Sequence, residues 1–264
     1  MAVINVLHKA NQVLDALAAA DELSAQELAT LLDEPRTSVY RLLGSMQELN
    51  WVTQGTARGT FRVGVRMFQI GANALGGLDV RQIALPELEA LLDLTGHTVF
   101  LCVREGYEGL CVERLDGRYV QTFELRLGRS LPLHVGGASR ALLAFNPSLW
   151  DDYIEHVPLK SYTSFTPATP AKLRETLTAE LSRGVVISDQ EVTLGIAAVG
   201  APIYDHTGAC VAGISMSGIS QVLLSEDYQR ASVTAIREAA DRISTRLGHQ
   251  PKENRVIATA DSRG

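Results

Sequence analysis

The feature that most constrains this chain is the order of elements in its first 64 residues. Leu7, Ala10, Val13, Leu14 and Leu17 recur at the helical period and predict a first helix. After a break at Asp21-Glu22-Leu23 comes Ser24, with Glu27 three residues on. That is a capping-box spelling, and it opens a second helix carrying Leu28, Leu31 and Leu32. Asp33-Glu34-Pro35 turns the chain, and Pro35 suits the first position of a third helix, where a missing N–H costs nothing. The third helix aligns Val39, Leu42, Leu43, Met46 and Leu49 on one stripe. Asn50-Trp51-Val52-Thr53 reads as a strand, residues 54–59 as a turn and Thr60-Phe61-Arg62-Val63-Gly64 as the return strand. Three short helices followed by a hairpin is the order of a winged helix-turn-helix.

Opposite the apolar stripe, the third helix shows Arg36, Thr37, Ser38, Tyr40, Arg41 and Ser45. Guanidiniums and hydroxyls at the start of a helix suit base edges and phosphates. Arg58 stands at the hairpin tip and Arg62 on the return strand, where a wing would lie along a backbone. Charge opposes this reading. The whole chain carries a formal −6, and residues 1–64 hold five Lys and Arg against seven Asp and Glu. DNA binding must then come from local placement of a few arginines, doubled by symmetry.

Residues 65–78 read as a connecting helix, 79–248 as a second domain and 249–264 as a polar tail. In the second domain Ile83, Leu85, Leu88, Leu91 and Leu92 mark a helix, and strands are expected near 97–104, 109–115 and 119–125. A hairpin through Glu105-Gly106-Tyr107-Glu108 would set Arg104 against Gly109 and Cys102 against Cys111, with both sulfurs on one face and reduced. A short apolar helix is expected over 138–145, and a longer one over 170–183 between a Thr169 cap and a Gly184 stop. Strands near 185–188, 196–204 and 209–217 and a final helix near 226–247 complete an α+β domain with a mostly antiparallel sheet. Gly136-Gly137 leave the N–H groups of the 138–145 helix open to an anion, and Ser215 and Ser217 share one face of their strand.

Other functions find little support. Gly213-Ile214-Ser215-Met216-Ser217 misses the GxSxG elbow at its last position, and no phosphate loop is present, so no enzyme is expected. Three cysteines without CxxC spacing and six scattered histidines imply neither a metal site nor a disulfide scaffold, and no cofactor is expected. No apolar run is long enough for a membrane span and no signal peptide is readable, so a cytoplasmic protein is expected. A sensor with a protein-interaction output is the alternative to a DNA-binding regulator.

The segments Pro35-Arg36-Thr37-Ser38-Val39-Tyr40-Arg41-Leu42-Leu43, Phe61-Arg62-Val63-Gly64 and Leu131-Pro132-Leu133-His134 come in a telling order. After them stand Ser139-Arg140-Ala141-Leu142-Leu143-Ala144, Asp189-Gln190-Glu191 with Gly195, and Ala201-Pro202-Ile203-Tyr204-Asp205. Together these resemble the IclR family of bacterial transcription regulators over about residues 5–247. The resemblance implies an α/β two-domain chain: an N-terminal winged helix-turn-helix, a linker helix and a C-terminal α+β GAF-like effector-binding domain. It implies binding to operator DNA as repressor or activator, a homodimer or homotetramer, and a small organic acid as effector. Carried over by motif, the effector positions are Gly137, Ala138, Ser188, Asp189, Ile196, Ala198, Ser215 and Ser217. Many relatives have Cys in place of Ala198. The smaller side chain implies a roomier, more apolar pocket, suited to an aromatic or larger acid rather than glyoxylate or pyruvate.

Overall fold

The structure is a computed structural model that describes residues 5–75, 79–118 and 125–250. The chain separates into two units, Met1–Leu78 and Asp79–Gly264.

In the first unit, helix α1 (Asn5–Ala20) buries Ala10, Val13 and Leu17. Leu7, expected on the same stripe, is exposed because it lies a turn beyond the ridge that meets the other helices. Strand β1 (Leu23–Ser24) leads into α2 (Ala25–Leu32), where the Ser24–Glu27 capping box is formed in both directions. Leu28 is buried there, while Leu31 points outward. Helix α3 (Arg36–Glu48) buries Val39, Leu43 and Met46. Leu42 is half-buried and Leu49 exposed, so the stripe is narrower than its spelling. Pro35 sits just before the helix as its N-cap rather than at the first helical position. Asn50 adopts a left-handed backbone (φ 57°) that ends α3, so the hairpin starts later than expected, as β2 (Val52–Gln54) and β3 (Thr60–Val63). β1 pairs with the outer edge of β3, making three strands in the order β1-β3-β2. Helix α4 (Val65–Leu75) follows, and residues 76–78 of the expected connecting helix lie outside the described residues.

The second unit is built on a six-stranded antiparallel sheet in the order β6-β5-β4-β9-β8-β7. Its strands are β4 (Thr98–Glu105), β5 (Glu108–Leu115), β6 (Ser130–Pro132), β7 (Val186–Asp189), β8 (Ile196–Tyr204) and β9 (Cys210–Ile219). The strand expected over 119–125 lies, but for Leu125, outside the described residues. Helices α5 (Asp79–Thr95) and α10 (Glu226–Arg246) cover one face, and α6 (Gly137–Ala144) the other. Around α6 lie a short 3-10 turn (Pro147–Leu149), α7 (Trp150–His156) and α8 (Pro170–Arg183), while α9 (Ser220–Leu223) follows β9. The α8 helix starts at a Thr169 side-chain cap and stops at left-handed Gly184. Alternation sends Val99 and Leu101 towards α5, and Phe100 and Cys102 into the core under α6. Arg104 pairs with Gly109 and Cys102 with Cys111, although the connecting turn is only Gly106-Tyr107.

Helix α6 lies unusually close to the sheet. A Cβ on Gly200 would stand 2.5 Å from the Gly137 carbonyl oxygen, and one on Gly213 would strike the Ala138 carbonyl oxygen. Glycine at both strand positions is what lets this helix settle onto β8 and β9.

Candidate functional site

On α3, Arg36, Thr37, Tyr40, Arg41 and Ser45 are exposed and Ser38 is half-buried. The helix therefore presents one polar face whose basis is the burial of Val39, Leu43 and Met46 behind it. Arg36 Nη2 donates to Tyr40 Oη at 3.3 Å and its guanidinium lies 5.4 Å from the Tyr40 ring centroid. Arg41, Ser38 and Ser45 border a hollow shared with Asn5 and Lys9 at the start of α1. Arg58 and Arg62 are exposed on the hairpin, Arg62 across from Thr53. Sequence reasoning missed the hairpin's anchor. The Thr56 N–H donates to Glu22 Oε2 at 2.6 Å, and the Thr56 hydroxyl donates to the same carboxylate. These hydrogen bonds, the backbone one foremost, hold the Glu22 carboxyl below its ordinary pKa. A Cβ on Gly55 would strike Glu22 Oε2, so the glycine there is the room the anchor needs.

The second site is a cavity between α6 and the sheet, enclosing about 60 Å³. Its floor draws on two adjacent rows of paired residues, from which Phe100, Ser215, Ser217, Ala198 and Ser188 line the space. One row runs Arg114–Phe100–Ser215–Gly200 across β5, β4, β9 and β8. The other runs Thr98–Ser217–Ala198–Ser188 across β4, β9, β8 and β7. Gly137, Ala138, Ser188, Ile196, Ala198, Ser215 and Ser217 all line the cavity. Asp189 does not: its Oδ1 accepts from the Ser220 hydroxyl, because odd and even positions of β7 face opposite ways. Phe100, Leu125, Leu131, Val192 and Thr193 complete the wall. The space is smaller than Ala198 alone suggested. The backbone of α6 has come down into it, and a Cβ on Gly137 would stand only 3.1 Å from that of Ala198.

Two polar features open on this cavity. No side chain caps the N-terminus of α6 at Gly136. Ser217 Oγ is buried without a hydrogen-bond partner. A carboxylate fits both, since helix N–H groups and a hydroxyl donate to it. Ser188 is already committed, donating to Glu191 Oε2 at 3.0 Å.

Glu191 belongs to a buried cluster. Arg140 on α6 is fully buried and donates through Nε and Nη2 to Glu180 of α8 and through Nη1 to Glu191. Its Nη2 also reaches the Ile187 carbonyl at 2.9 Å. Burial raises the Glu180 pKa above its ordinary value even beside this guanidinium. Thr166 Oγ1 donates to the Glu191 carbonyl at 2.6 Å and Thr163 Oγ1 to that of Gln190 at 2.7 Å. The loop that carries Val192 and Thr193 into the cavity wall is thus pinned at its start.

Arg114, at the end of the first row, has the opposite setting. Its guanidinium lies 5.6 Å from the centroid of the Phe100 ring, and Nη1 donates to the Leu125 carbonyl at 2.8 Å. Nη2 pairs with Asp116 at 2.6 Å. Nothing in the spacing of the sequence marks Arg114, because its place depends on a bulge between β4 and β5 that sets the register.

Residues 6–55 match a family model for the IclR helix-turn-helix domain, and residues 72–245 match one for the C-terminal domain of IclR bacterial transcriptional regulators. The HTH-type transcriptional regulator KipR of Bacillus subtilis (strain 168) is 32% identical over 228 residues, covering 86% of this chain and 90% of that protein. The HTH-type transcriptional repressor AllR of Escherichia coli (strain K12) is 31% identical over 229 residues, covering 85% and 83%. Among solved structures, the Thermotoga maritima IclR matches with a TM-score of 0.78 at 28% identity, over 93% of this chain and 99% of that one. An IclR homolog from Microbacterium hydrocarbonoxydans, complexed with 4-hydroxybenzoate, matches in fold with a TM-score of 0.80 at 24% identity, over 92% and 99%.

Proposed function

The chain belongs to the IclR family, DNA-binding transcriptional regulators with an effector-binding C-terminal domain and not enzymes, and from that premise we propose that a small organic acid in the α6 cavity controls its hold on operator DNA. The observation that carries the reading is the buried Ser217 hydroxyl without a partner beside the uncapped α6 N-terminus. A buried polar group left unpaired costs about 1–3 kcal/mol, which a carboxylate acceptor would recover. The acid's charge meets Ser217, Ser215 and the Gly137-Ala138 turn, while Ile196 and Ala198 face its body. Because the enclosed space is about 60 Å³, a compact acid fits as the protein stands. An aromatic acid requires the Val192–Thr193 wall to move outward. Such a metabolite makes an operon for its breakdown the natural target.

DNA is read by α3, with Arg36, Thr37, Ser38, Tyr40, Arg41 and Ser45 in the major groove and Arg58 and Arg62 along the backbone. The low basic charge of this unit supports a homodimer or a homotetramer, in which two heads share one operator. Exposed Val65 and Phe68, three apart on α4, supply an apolar face for such pairing. Among the described residues no helix is long and apolar enough to cross a membrane, and a cytoplasmic location goes with the DNA target. The family match over residues 6–55 favours DNA over a protein-interaction output.

The test is calorimetry of the full chain with aliphatic and aromatic acids, paired with gel shifts on DNA from around its own gene. An acid that binds and also changes DNA affinity supports the reading. Binding that survives replacement of both Ser215 and Ser217 by Ala moves the effector elsewhere.

A further inference from the structure

We propose that Ser188 meets the effector as a hydrogen-bond acceptor only, so that the cavity takes acids carrying a hydroxyl or N–H at the end remote from the carboxylate. The inference rests on the effector-site reading above and deepens it by naming the class of acid.

A serine hydroxyl has one proton to give and two lone pairs. Ser188 Oγ gives its proton to Glu191 Oε2 at 3.0 Å. A third group sets the direction of that bond. The same Oε2 accepts from Arg140 Nη1, and an oxygen to which a guanidinium donates holds no proton to return. Ser188, Glu191 and Arg140 are all buried, so the chain of bonds is shielded from water, and a hydroxyl donating to a carboxylate is held more firmly than one donating to a neutral group. Ser188 also lines the cavity. What it offers there is lone pairs alone. The Thr193 hydroxyl, also in the wall, can turn to give or to accept and does not discriminate.

The other end of the cavity has the opposite polarity. Ser217 Oγ is buried without a hydrogen-bond partner and α6 begins without a side-chain cap, and both of these donate. The register puts the two ends in one line. Ser217 on β9 is paired with Ala198 on β8, and Ala198 with Ser188 on β7. All three line the cavity, and the methyl group of Ala198 leaves the line between the two serines open. Two strand spacings of about 4.8 Å, less two hydrogen bonds of about 2.8 Å, leave about 4 Å between a carboxylate oxygen at Ser217 and a donor atom at Ser188. A hydroxyl on the third carbon of a short acid, or at the meta position of benzoate, comes near that span. A second carboxylate in the donor's place would set its lone pairs against those of Ser188, with the Glu191 carboxylate behind them.

The experiment is calorimetry of the full chain with two matched series. One is propanoate with its 3-hydroxy, 3-fluoro and 3-methoxy derivatives and malonate. The other is benzoate with its 3-hydroxy, 3-fluoro and 3-methoxy derivatives and isophthalate. In whichever series fits, the hydroxy acid is expected to bind at least tenfold tighter than the fluoro acid of nearly the same size, with the dicarboxylate weakest. Ser188→Ala should remove that preference and leave the hydroxy acid within about twofold of the fluoro acid. If the wild type binds the fluoro acid, the ether or the dicarboxylate as tightly as the hydroxy acid, the proposal is overturned. A hydroxy preference that survives Ser188→Ala overturns it equally, because the donor is then read elsewhere. If no acid of either series binds the wild type, the effector-site reading falls and takes this one with it. Binding that survives replacement of both Ser215 and Ser217 by Ala sinks the effector-site reading, whereas binding that needs them yet ignores Ser188 refutes this proposal alone.

Discussion

Single side chains carry opposite duties around the cavity, and they should respond oppositely to replacement. Ser217 has a buried hydroxyl without a partner, so Ser217→Ala is expected to keep or raise the melting temperature while weakening acid binding by about tenfold, the worth of one hydrogen bond to a charged group. Thermal scans and calorimetry on the same variant check both halves. Arg140→Met should instead destabilise the chain by about 3–5 kcal/mol, because two buried carboxylates lose their one cation. Denaturant titration measures it. His134 gives a pH signature. Its Nδ1 meets the Tyr153 hydroxyl at 2.8 Å and its Nε2 the Lys160 carbonyl at 3.0 Å, so the neutral ring satisfies both neighbours. Burial lowers its pKa from 6.5, as it also does for His97. The unfolded chain therefore takes up protons first, and stability that is complete above about pH 6.5 is lost as the pH falls through the lowered values. Unfolding midpoints at pH 7.5 and 5.5 should show the drop, with a smaller one in His134→Gln. The sequence made Ser215 and Ser217 legible because period-two spacing needs one strand only. It hid Arg114 and Glu191, whose positions depend on which residues other strands and helices bring beside them.

At the level of elements, the sequence spelled ends that local chemistry sets better than ends that depend on the rest of the fold. The capping box of α2 and the Thr169 and Gly184 limits of α8 were readable because each is local chemistry. The start of β2 was not, because Asn50 takes a left-handed conformation that its neighbours Trp51 and Val52, good strand formers, conceal. Nor was β1, a two-residue strand that exists only by pairing with β3. The recognition helix and wing make separate predictions. Arg41→Ala should weaken operator binding by about 1–3 kcal/mol per half-site with folding intact, since Arg41 is exposed opposite the buried stripe. Gel-shift titration with unchanged affinity would remove it from the reading face. Glu22→Ala should lower DNA affinity without any contact to DNA, because it frees the wing at Thr56. Faster amide exchange at Thr56, compared with wild type, tells loosening from loss of fold.

Across the whole molecule, residues 1–64 hold five Lys and Arg against seven Asp and Glu, which leaves little bulk attraction for DNA, and the pairing proposed above would supply the affinity. Phe68→Glu on α4 is expected to shift sedimentation towards a smaller species and to weaken operator binding in step, while the effector still binds the second unit. Composition warned of this dependence but could not say which face answers it, since exposure of Phe68 is a property of the fold. The two-row cavity floor has a consequence for descent. Its side chains hang from a ladder whose hydrogen bonds are made by backbone atoms, so the occupants of Phe100, Ala198, Ser215 and Ser217 can be exchanged one at a time without shifting a strand. Arg140 has no such freedom, because its replacement alone leaves two buried carboxylates without the cation they share. On this scaffold the effector proposed above could be changed by single viable substitutions in the floor, whereas a change at the anchor of the wall would need a second to accompany it.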